Sequence, residues 1–395
     1  MMSCFCHIFR RKRTSRQQHV QFNEGIPGIE SMKIYTYKEL KDATDDFSPA
    51  NKLGEGSFGS VYKGRLRDGK AVAVKVLSSE SKQGIRQFLT EIIVVSRIIH
   101  ENLVKIYGCC AEGTHRIIVY NYLENNSLAR TLLGSSHSSI QFNWRTRAKI
   151  CVGVARGLAF LHEEVHPHVV HRDIKASNIL LDKDLTPKIS DFGLAKLLPE
   201  NMTHISTRVA GTIGYLAPEY AIRGQVTRKS DVYSYGVLLL EIVSGRCNSN
   251  TILSYEDQFL QEGSPNIMNG CLVLQTWALY ERGELVHIID SSLTDDLDVE
   301  EACRFLKVGL LCAQDSMKLR PSMSTVIRML SGDEDVVSDK ITKPGVIDDF
   351  MDLKVISKRT AGQVNRSSTK ASLQDSPPSS SENIYVSMTF TSMSE

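Results

Sequence analysis

The spacing of hydrophobic residues divides the chain into a strand-rich part and a helix-rich part. Between residues 52 and 122, short alternating runs typical of strands are interrupted by one stretch with helical spacing. From residue 126 onward the spacing is mostly helical, with short strands between residues 171 and 191. The pattern predicts an α+β fold with a small β-rich N-terminal lobe containing one helix, and a larger, mainly helical C-terminal lobe.

Shifts in composition mark the boundaries of the folded part. The first 33 residues are basic, whereas from residue 357 serine, threonine, asparagine and proline dominate. That tail has too little apolar surface to offset its ordering entropy, so we expect it to be disordered. A helix-like stretch from Tyr37 to Phe47 leads into the first strand. The predicted boundaries are a basic arm at 1–33, a lead-in segment at 34–46, a folded domain at 47–335 with lobes at 47–122 and 126–335, an extension at 336–356 and the tail at 357–395.

The strand predicted at residues 71–77 carries a lysine on its less bulky face. Period-two alternation puts the valines on one face and Ala71, Ala73 and Lys75 on the other. The next predicted helix has an apolar stripe formed by Ile85, Phe88, Ile92, Val95 and Ile99. Glu91 falls on this stripe, where an unpaired carboxylate is costly. An ion pair with Lys75 removes that cost and would hold the lysine against phosphate oxygens, although an exposed lysine on an edge strand is the alternative.

A glycine-rich segment, Leu53–Val61, has the spacing GxGxxG. Glycines let backbone N–H groups approach phosphate oxygens without interference from a Cβ. In dinucleotide-binding folds the same spacing opens a helix, but here β-type sequence continues to a turn at residues 67–70, which predicts a hairpin. A nucleotide-dependent oxidoreductase is therefore disfavoured, and a glycine-rich turn without a ligand is the remaining alternative.

Polar residues lie between apolar runs in the segment Val169–Leu181. There, Asp173 would accept the proton of an attacking hydroxyl, Lys175 would offset charge developing on a phosphate, and Asn178 would bind magnesium through its amide oxygen. Asp191, followed by Phe and Gly, ends a strand and would supply another magnesium ligand. A purely structural polar turn is an alternative for either motif alone, but both motifs in this order favour phosphoryl transfer.

Together these motifs resemble those of the eukaryotic protein kinases. Within that family the chain is similar to the plant receptor-like and receptor-like cytoplasmic kinases related to Pelle and IRAK, from Ile34 to Leu353 and in the segments Ser206–Glu219 and Ser230–Gly236. The resemblance implies the bilobal protein-kinase fold, ATP and Mg²⁺ as cofactors, and proteins as substrates. Lys175, two residues after the catalytic aspartate, resembles the serine/threonine class and not the tyrosine class.

The resemblance also implies an adenine pocket. Tyr120 would be its gatekeeper, Asn121, Tyr122 and Leu123 its hinge, and Leu180 its floor. The predicted nucleotide-binding residues are Leu53, Gly54, Glu55, Gly56, Ser57, Phe58, Gly59, Ser60, Val61, Ala73, Lys75, Tyr120, Tyr122, Leu123 and Leu180.

Regulation is implied by Arg172, which precedes the catalytic aspartate. An arginine there marks the subgroup usually activated by phosphorylation of the activation segment. Ser206 and Thr207 are the candidate sites, since a phosphate on either would pair with Arg172 and order the segment. Thr212 is expected mainly to shape the substrate site.

The predicted helical lobe has two implied contacts and one departure from the family. The resemblance implies an ion pair between Glu219 and Arg320, and a brace from Asp231 to the catalytic loop, the segment Val169–Leu181. The departure is an insertion of about a dozen residues around Gly263–Gly270. Its turn-rich composition predicts a surface loop, and loops tolerate insertions; an artefact of splicing or of the gene prediction is the alternative.

Composition and charge bear on compartment and membrane binding. The net charge of +2 gives no indication of nucleic acid, and nine cysteines without metal-ligand spacing favour a reducing compartment. No apolar run approaches the roughly 18 residues that span a bilayer. Cys4 and Cys6 precede a basic cluster at 10–16, so thioacylation plus attraction to anionic lipid would give the two signals that anchoring needs, whereas Met2 excludes N-myristoylation. The alternative is a solvated tail; the expected location is the cytoplasm or the cytosolic side of the plasma membrane.

Two hypotheses for the function follow. The first is an active serine/threonine kinase that acts on proteins and itself responds to an upstream receptor kinase. The second is a catalytically silent scaffold with the kinase fold. The residues whose loss defines silence are all present, which favours the active kinase: Lys75, Glu91, Asp173, Asn178 and Asp191.

Overall fold

The structure is a computed structural model that describes residues 32–56, 59–78, 82–96, 98–134, 140–248, 271–294 and 296–346. These residues form two compact units. The first contains the described residues up to 96 and Ile106–Asn121, and the second contains Ile98–Lys105 and the described residues from Tyr122 to 346. The basic arm with Cys4 and Cys6, the inserted loop and the serine-rich tail lie outside the described residues.

The first unit is a six-stranded sheet with two helices, as the alternating pattern predicts. Its strands are β1 (Lys33–Ile34), β2 (Lys52–Gly56), β3 (Gly59–Arg65), β4 (Ala71–Leu77), β5 (Ile106–Cys110) and β6 (Arg116–Asn121), and its helices are α1 (Tyr37–Ala43) and α2 (Lys82–Val95). The strand order is β1-β5-β6-β4-β3-β2. Only β1 pairs in parallel, with β5, while the other strand pairs are antiparallel.

The lead-in segment is built into this unit. Thr36 caps α1 through a capping box in which its hydroxyl accepts from the Glu39 amide and the Glu39 carboxylate accepts from the Thr36 amide. Leu40, fully buried, packs with the strand residues Val72 and Val74. The helix ends at Ala43, earlier than the predicted Phe47, because residues 45–47 have positive φ angles of 52–60° that a helix cannot accommodate.

Helix α2 is also shorter than its apolar stripe predicts. Phe88, Ile92 and Val95 are buried along one face, as expected from their spacing. Ile99, however, lies beyond the end of the helix at Val95 and is 80% exposed. The prediction of Ile99 as part of the stripe was wrong, because hydrophobic spacing alone does not mark where a helix ends.

The second unit is mainly helical, as predicted. Its helices are α3 (Leu128–Thr131), α4 (Trp144–Ala159), α5 (Pro218–Arg223), α6 (Arg228–Ser244), α7 (Leu272–Arg282), α8 (Val299–Ala313) and α9 (Met323–Ser331). Its short strands are β7 (His168–Val170), β8 (Ile179–Leu181), β9 (Pro187–Ile189), β10 (Lys196–Leu198), β11 (Ile205–Ser206) and β12 (Gln225–Val226), paired as β7–β10, β8–β9 and β11–β12. Among the helices described, none combines the length and the apolar character needed to cross a membrane.

Helix α6 forms the centre of the second unit. It is buried along nearly its whole length, and it packs closely on α8 because glycines face each other there. A Cβ at Gly236 would lie 2.7 Å from the carbonyl oxygen of Gly309, and a Cβ at Gly309 would lie 2.6 Å from a Leu240 methyl carbon. The glycine pair therefore sets the distance between the two helices. This close packing holds α6 in a fixed position beside the loops that contact it.

The C-terminal extension packs on the second unit past the predicted domain end at 335. Thr342 donates from its amide and its hydroxyl to the side-chain oxygen of Gln314, and the Gly345 amide donates to the carbonyl of Ala313. A Cβ at Gly345 would approach Pro218 to 2.9 Å. The folded region thus includes residues as far as 346, since these contacts bury the extension against α5 and the end of α8.

Candidate active site

In the first unit, the predicted ion pair between Lys75 and Glu91 is present. The Lys75 Nζ atom lies 3.0 Å from Glu91 Oε2 and 3.3 Å from Oε1. The Glu91 side chain is fully buried on the apolar face of α2, and the Lys75 side chain is 15% exposed on β4. A buried carboxylate needs such a partner, so the pair fixes the lysine ammonium at one position on β4.

The glycine-rich segment forms the turn between β2 and β3. Gly56 pairs with Gly59 at the end of the ladder, and Ser57 and Phe58 lie outside the described residues. Gly59 has φ +152°, and a Cβ there would meet the Val76 carbonyl oxygen at 1.9 Å, so only glycine fits. The other predicted members of this segment that the structure describes lie on the two strands: Leu53, Gly54, Glu55, Ser60 and Val61.

The predicted adenine-pocket residues fall in both units. In the first, Ala73 on β4 is the direct pairing partner of Tyr120 on β6, so the small residue lies beside the predicted gatekeeper. In the second, Tyr122 and Leu123 are partly buried, and Leu180 lies on β8. Leu180 forms an isolated antiparallel bridge with Ser127, the residue just before α3.

In the second unit the catalytic-loop residues surround the Asp173 carboxylate. Asn178 donates from Nδ2 to the Asp173 carbonyl (2.8 Å) and to its Oδ2 (3.0 Å). The Lys175 ammonium lies 3.1 Å from the same Oδ2. The Thr212 hydroxyl donates to Asp173 Oδ1 at 2.7 Å and accepts from Lys175 Nζ at 2.7 Å. Both carboxylate oxygens are therefore oriented, and a hydroxyl already occupies the position of a proton donor.

Asp231, at the start of α6, holds the backbone of this loop. Its carboxylate accepts from the amides of His171 (2.7 Å) and Arg172 (2.8 Å) and contacts His162 Nε2 at 2.9 Å. Complete burial alone would raise the pKa of Asp231, but the hydrogen bonds from His162 and Arg172 and the nearby imidazoles outweigh it and hold that pKa below its usual range. The brace implied by the resemblance is thus present, with a charged carboxylate at its centre.

The catalytic loop is also connected to the segment that carries Asp191. His171 Nδ1 accepts from the Asp173 amide, so its Nε2–H donates to the Ser190 carbonyl (3.0 Å). The ring of Phe192 packs edge-on against His171 at 4.8 Å. Asp191 itself adopts a left-handed conformation, φ 64° and ψ 68°, which costs a non-glycine residue about 1–3 kcal/mol. Strain of this kind is found at functional sites.

The donor set of Asn178 and Asp191 fits magnesium. The Asn178 hydrogen bonds to Asp173 use the amide nitrogen and not its oxygen, which faces away from that contact. Carboxylate and amide oxygens are the hard ligands that Mg²⁺ prefers, and it usually completes its shell with water and substrate phosphates. In the part of the chain that is described, no group of three or more His, Cys, Asp or Glu residues could hold a metal ion alone. Asn178 and Asp191 would supply two of the ligands of such an ion.

The candidate regulatory residues Ser206, Thr207 and Thr212 differ in their surroundings. Ser206 is exposed on β11, and the Thr207 amide donates to the carbonyl of Gly224. Thr212, expected mainly to shape the substrate site, contacts Asp173 directly. Sequence spacing gave no indication of this contact, because the two residues are 39 positions apart.

Two further contacts anchor the activation segment. Arg320 makes the implied bidentate pair with Glu219, at 2.8 and 2.9 Å. The other contact was not predicted from the sequence: the Tyr215 hydroxyl donates to the buried carboxylate of Glu241 on α6, at 2.7–2.8 Å. Burial raises the pKa of Glu241 to about 7, because the charged form is poorly solvated there.

Comparison with known proteins agrees with these geometric features. Residues 47–270 match the family model described as protein tyrosine and serine/threonine kinase. The chain is 64% identical over 356 residues to Cold-responsive protein kinase 1 of Arabidopsis thaliana, covering 89% of this chain and 88% of that protein.

Receptor-like relatives match over most of the chain. Two probable LRR receptor-like serine/threonine-protein kinases of Arabidopsis thaliana are each 55% identical, over 317 and 341 residues. These matches cover 80% and 86% of this chain but only 29% and 31% of the receptors. The chain is thus a protein kinase: it belongs to the protein tyrosine and serine/threonine kinase family and groups with the serine/threonine kinases of plants.

Proposed function

We propose that this chain transfers the γ-phosphoryl group of ATP, in line, to serine and threonine hydroxyls of protein substrates. The observation that carries the proposal is the environment of Asp173, whose carboxylate is held by Asn178, Lys175 and a hydroxyl donor at 2.7 Å. A substrate hydroxyl placed like that of Thr212 would donate its proton to the same carboxylate and direct its oxygen toward phosphorus.

The surrounding residues would stabilise the phosphates. Lys175, 3.1 Å from Asp173 Oδ2, would offset negative charge on the phosphoryl group in transit. Lys75, held by Glu91, would bind the α- and β-phosphates, and the glycines of the β2–β3 turn would bring backbone N–H groups to them. Asn178 and Asp191 would hold Mg²⁺, which, when bound, neutralises charge on the phosphate oxygens.

Chelation and phosphosite mapping test this proposal together. Purified chain incubated with ATP and excess Mg²⁺ should phosphorylate itself and a generic protein substrate, and EDTA should abolish the reaction until Mg²⁺ is restored, because two side-chain ligands cannot retain the metal alone. Mass spectrometry should find phosphate on serine and threonine, with Ser206 or Thr207 among the sites. Absence of any transfer would favour the silent scaffold, and phosphate confined to tyrosine would contradict the substrate class.

We also propose that the chain attaches to membranes peripherally and acts downstream of a receptor kinase. The attachment rests on Cys4, Cys6 and the basic residues at 10–16. The upstream receptor kinase rests on the similarity to receptor-like kinases. In plant cells, Cys4→Ser/Cys6→Ser should lose incorporated fatty acid and leave the membrane fraction, because the basic cluster alone supplies one signal of the two. Equal labelling and fractionation of the variant and the wild type would contradict the attachment.

A further inference from the structure

Tyr220 on α5 is buried, and the phosphoryl-transfer steps proposed above assign it no role. Its side chain is almost inaccessible, with 2% of the residue exposed. Its hydroxyl accepts from Arg172 Nε at 3.1 Å, from Arg172 Nη2 at a shorter distance, and from the Ala210 amide at 2.9 Å. The carbonyl oxygens of Ala210 and Arg208 lie 3.0 and 3.3 Å away as acceptors for its proton. The hydroxyl therefore joins the catalytic loop to the activation segment.

This hydroxyl uses its whole hydrogen-bonding capacity. A phenol has one proton to donate and two lone pairs to accept with, and here three N–H groups converge on it while two carbonyls share its proton. The Arg172 guanidinium carbon also lies 5.4 Å from the centre of the Tyr220 ring, within the range of a cation–π contact. Phenylalanine would keep the ring and lose every one of these hydrogen bonds.

Arg172 distributes its remaining hydrogen bonds over the same segment. Nη1 donates to the Leu194 carbonyl at 2.9 Å, and Nη2 donates to the Arg208 carbonyl at 2.8 Å. The residue is 7% exposed and has φ 73°, with its amide held by Asp231. Because Arg172 directly precedes Asp173, the position of its guanidinium and that of the catalytic carboxylate are coupled through the backbone.

A second path leads from Tyr220 to Asp173 through the activation segment. The Ala210 amide is held by the Tyr220 hydroxyl, and Gly211 follows with φ +135°. A Cβ at Gly211 would lie 2.8 Å from the Arg172 carbonyl oxygen, so the segment runs directly against the catalytic loop there. The next residue, Thr212, donates to Asp173. Both paths end at the same carboxylate.

From this geometry we infer that Tyr220 is a positioning residue for phosphoryl transfer, an inference that rests on the proposed function. In the unphosphorylated chain its hydroxyl engages Arg172 and holds residues 208–212 against Asp173. Tyr220, Leu194 and Arg208 engage four of the five N–H groups of Arg172. A phosphate on Ser206 or Thr207 would therefore meet a guanidinium that is already held in place. Basal activity therefore depends on Tyr220, and phosphorylation adds to an arrangement that already exists.

Kinetics of phosphatase-treated Tyr220→Phe test the inference. Losing a buried hydroxyl whose donor and acceptor positions are all used should lower kcat/KM for the protein substrate by about 10- to 100-fold. KM for ATP should stay within about twofold of wild type, since Lys75 and Glu91 are untouched. Hydrogen exchange of residues 208–212 should accelerate, because the Ala210 amide loses its acceptor. In an Arg172→Gln background the same substitution should change kcat/KM by a smaller factor than in the wild-type background, since the part of its effect that passes through Arg172 is already lost.

Tyr235→Phe is the matched control. Tyr235 is fully buried on α6, and its hydroxyl donates to a single carbonyl, that of Cys151, at 3.0 Å. We expect Tyr235→Phe to lose some stability. Its KM for ATP, its KM for the protein substrate and the hydrogen exchange of residues 208–212 should stay as in the wild type. Wild-type kinetics in Tyr220→Phe, or effects that multiply with Arg172→Gln, would overturn the inference while leaving the kinase activity of the wild type intact. An inactive wild type would instead contradict the proposed function itself.

Discussion

Asp173→Asn lowers kcat for phosphoryl transfer by about 10²–10⁴-fold, the range typical of losing a general base. The amide keeps the size of the side chain and a carbonyl oxygen that Asn178 can still donate to. It loses the charge that holds Lys175 at 3.1 Å and the ability to accept a proton from the attacking hydroxyl. Steady-state kinetics at saturating ATP and protein substrate measure the effect.

The control for this variant is Asp184→Asn. Asp184 lies in the same unit, its side chain is 68% exposed, and its carboxylate forms a surface ion pair with Lys183 at 3.7 Å. Losing such a surface charge should leave kcat unchanged and stability within about 1 kcal/mol. If Asp173→Asn retained more than a tenth of wild-type turnover while Asp184→Asn behaved normally, Asp173 would not be the group that receives the proton.

Arg320→Met destabilises the second unit by about 3–5 kcal/mol, the cost of leaving a buried charge without its partner. Arg320 is 1% exposed and packs its guanidinium over Tyr233 at 5.0 Å. Its N–H groups donate to the Glu219 carboxylate and to the backbone carbonyls of Gln314, Asp315 and Lys229. Methionine fills most of the volume but satisfies none of these acceptors. Urea unfolding followed by tryptophan fluorescence measures the loss.

Arg328→Met provides the comparison for a surface arginine. Its ion pair with Glu334 is as short, at 2.8 Å, but the two side chains are 50% and 38% exposed. Solvent screens such a pair, so its loss should cost less than about 1 kcal/mol. Similar losses in the two variants would mean that burial does not determine the strength of the Arg320 contact.

Much of the active site could be predicted because its residues are close in sequence. Asp173, Lys175 and Asn178 lie within six positions, and the Lys75–Glu91 pair followed from one strand and one helix with clear periodicity. Local patterns of this kind fix which face a side chain occupies. The fold class followed from the same patterns, since short alternating runs precede long helical ones.

The contacts that were missed join residues far apart in the chain. Tyr220 reaches Arg172 across 48 positions, and Tyr215 reaches Glu241 across 26. No spacing rule relates such pairs, because the chain between them takes an irregular path. The end of α2 before Ile99 was missed for another reason, since the helix stops although apolar residues continue.

The most direct test of the account is the fate of label from ATP in the presence of Mg²⁺. Wild-type chain should transfer ³²P from γ-labelled ATP to serine and threonine of a protein substrate, and none from α-labelled ATP, while Asp173→Asn should transfer almost nothing from either. Label from the α-position on the substrate, or equal incorporation by wild type and Asp173→Asn, would contradict γ-phosphoryl transfer at the Asp173 carboxylate.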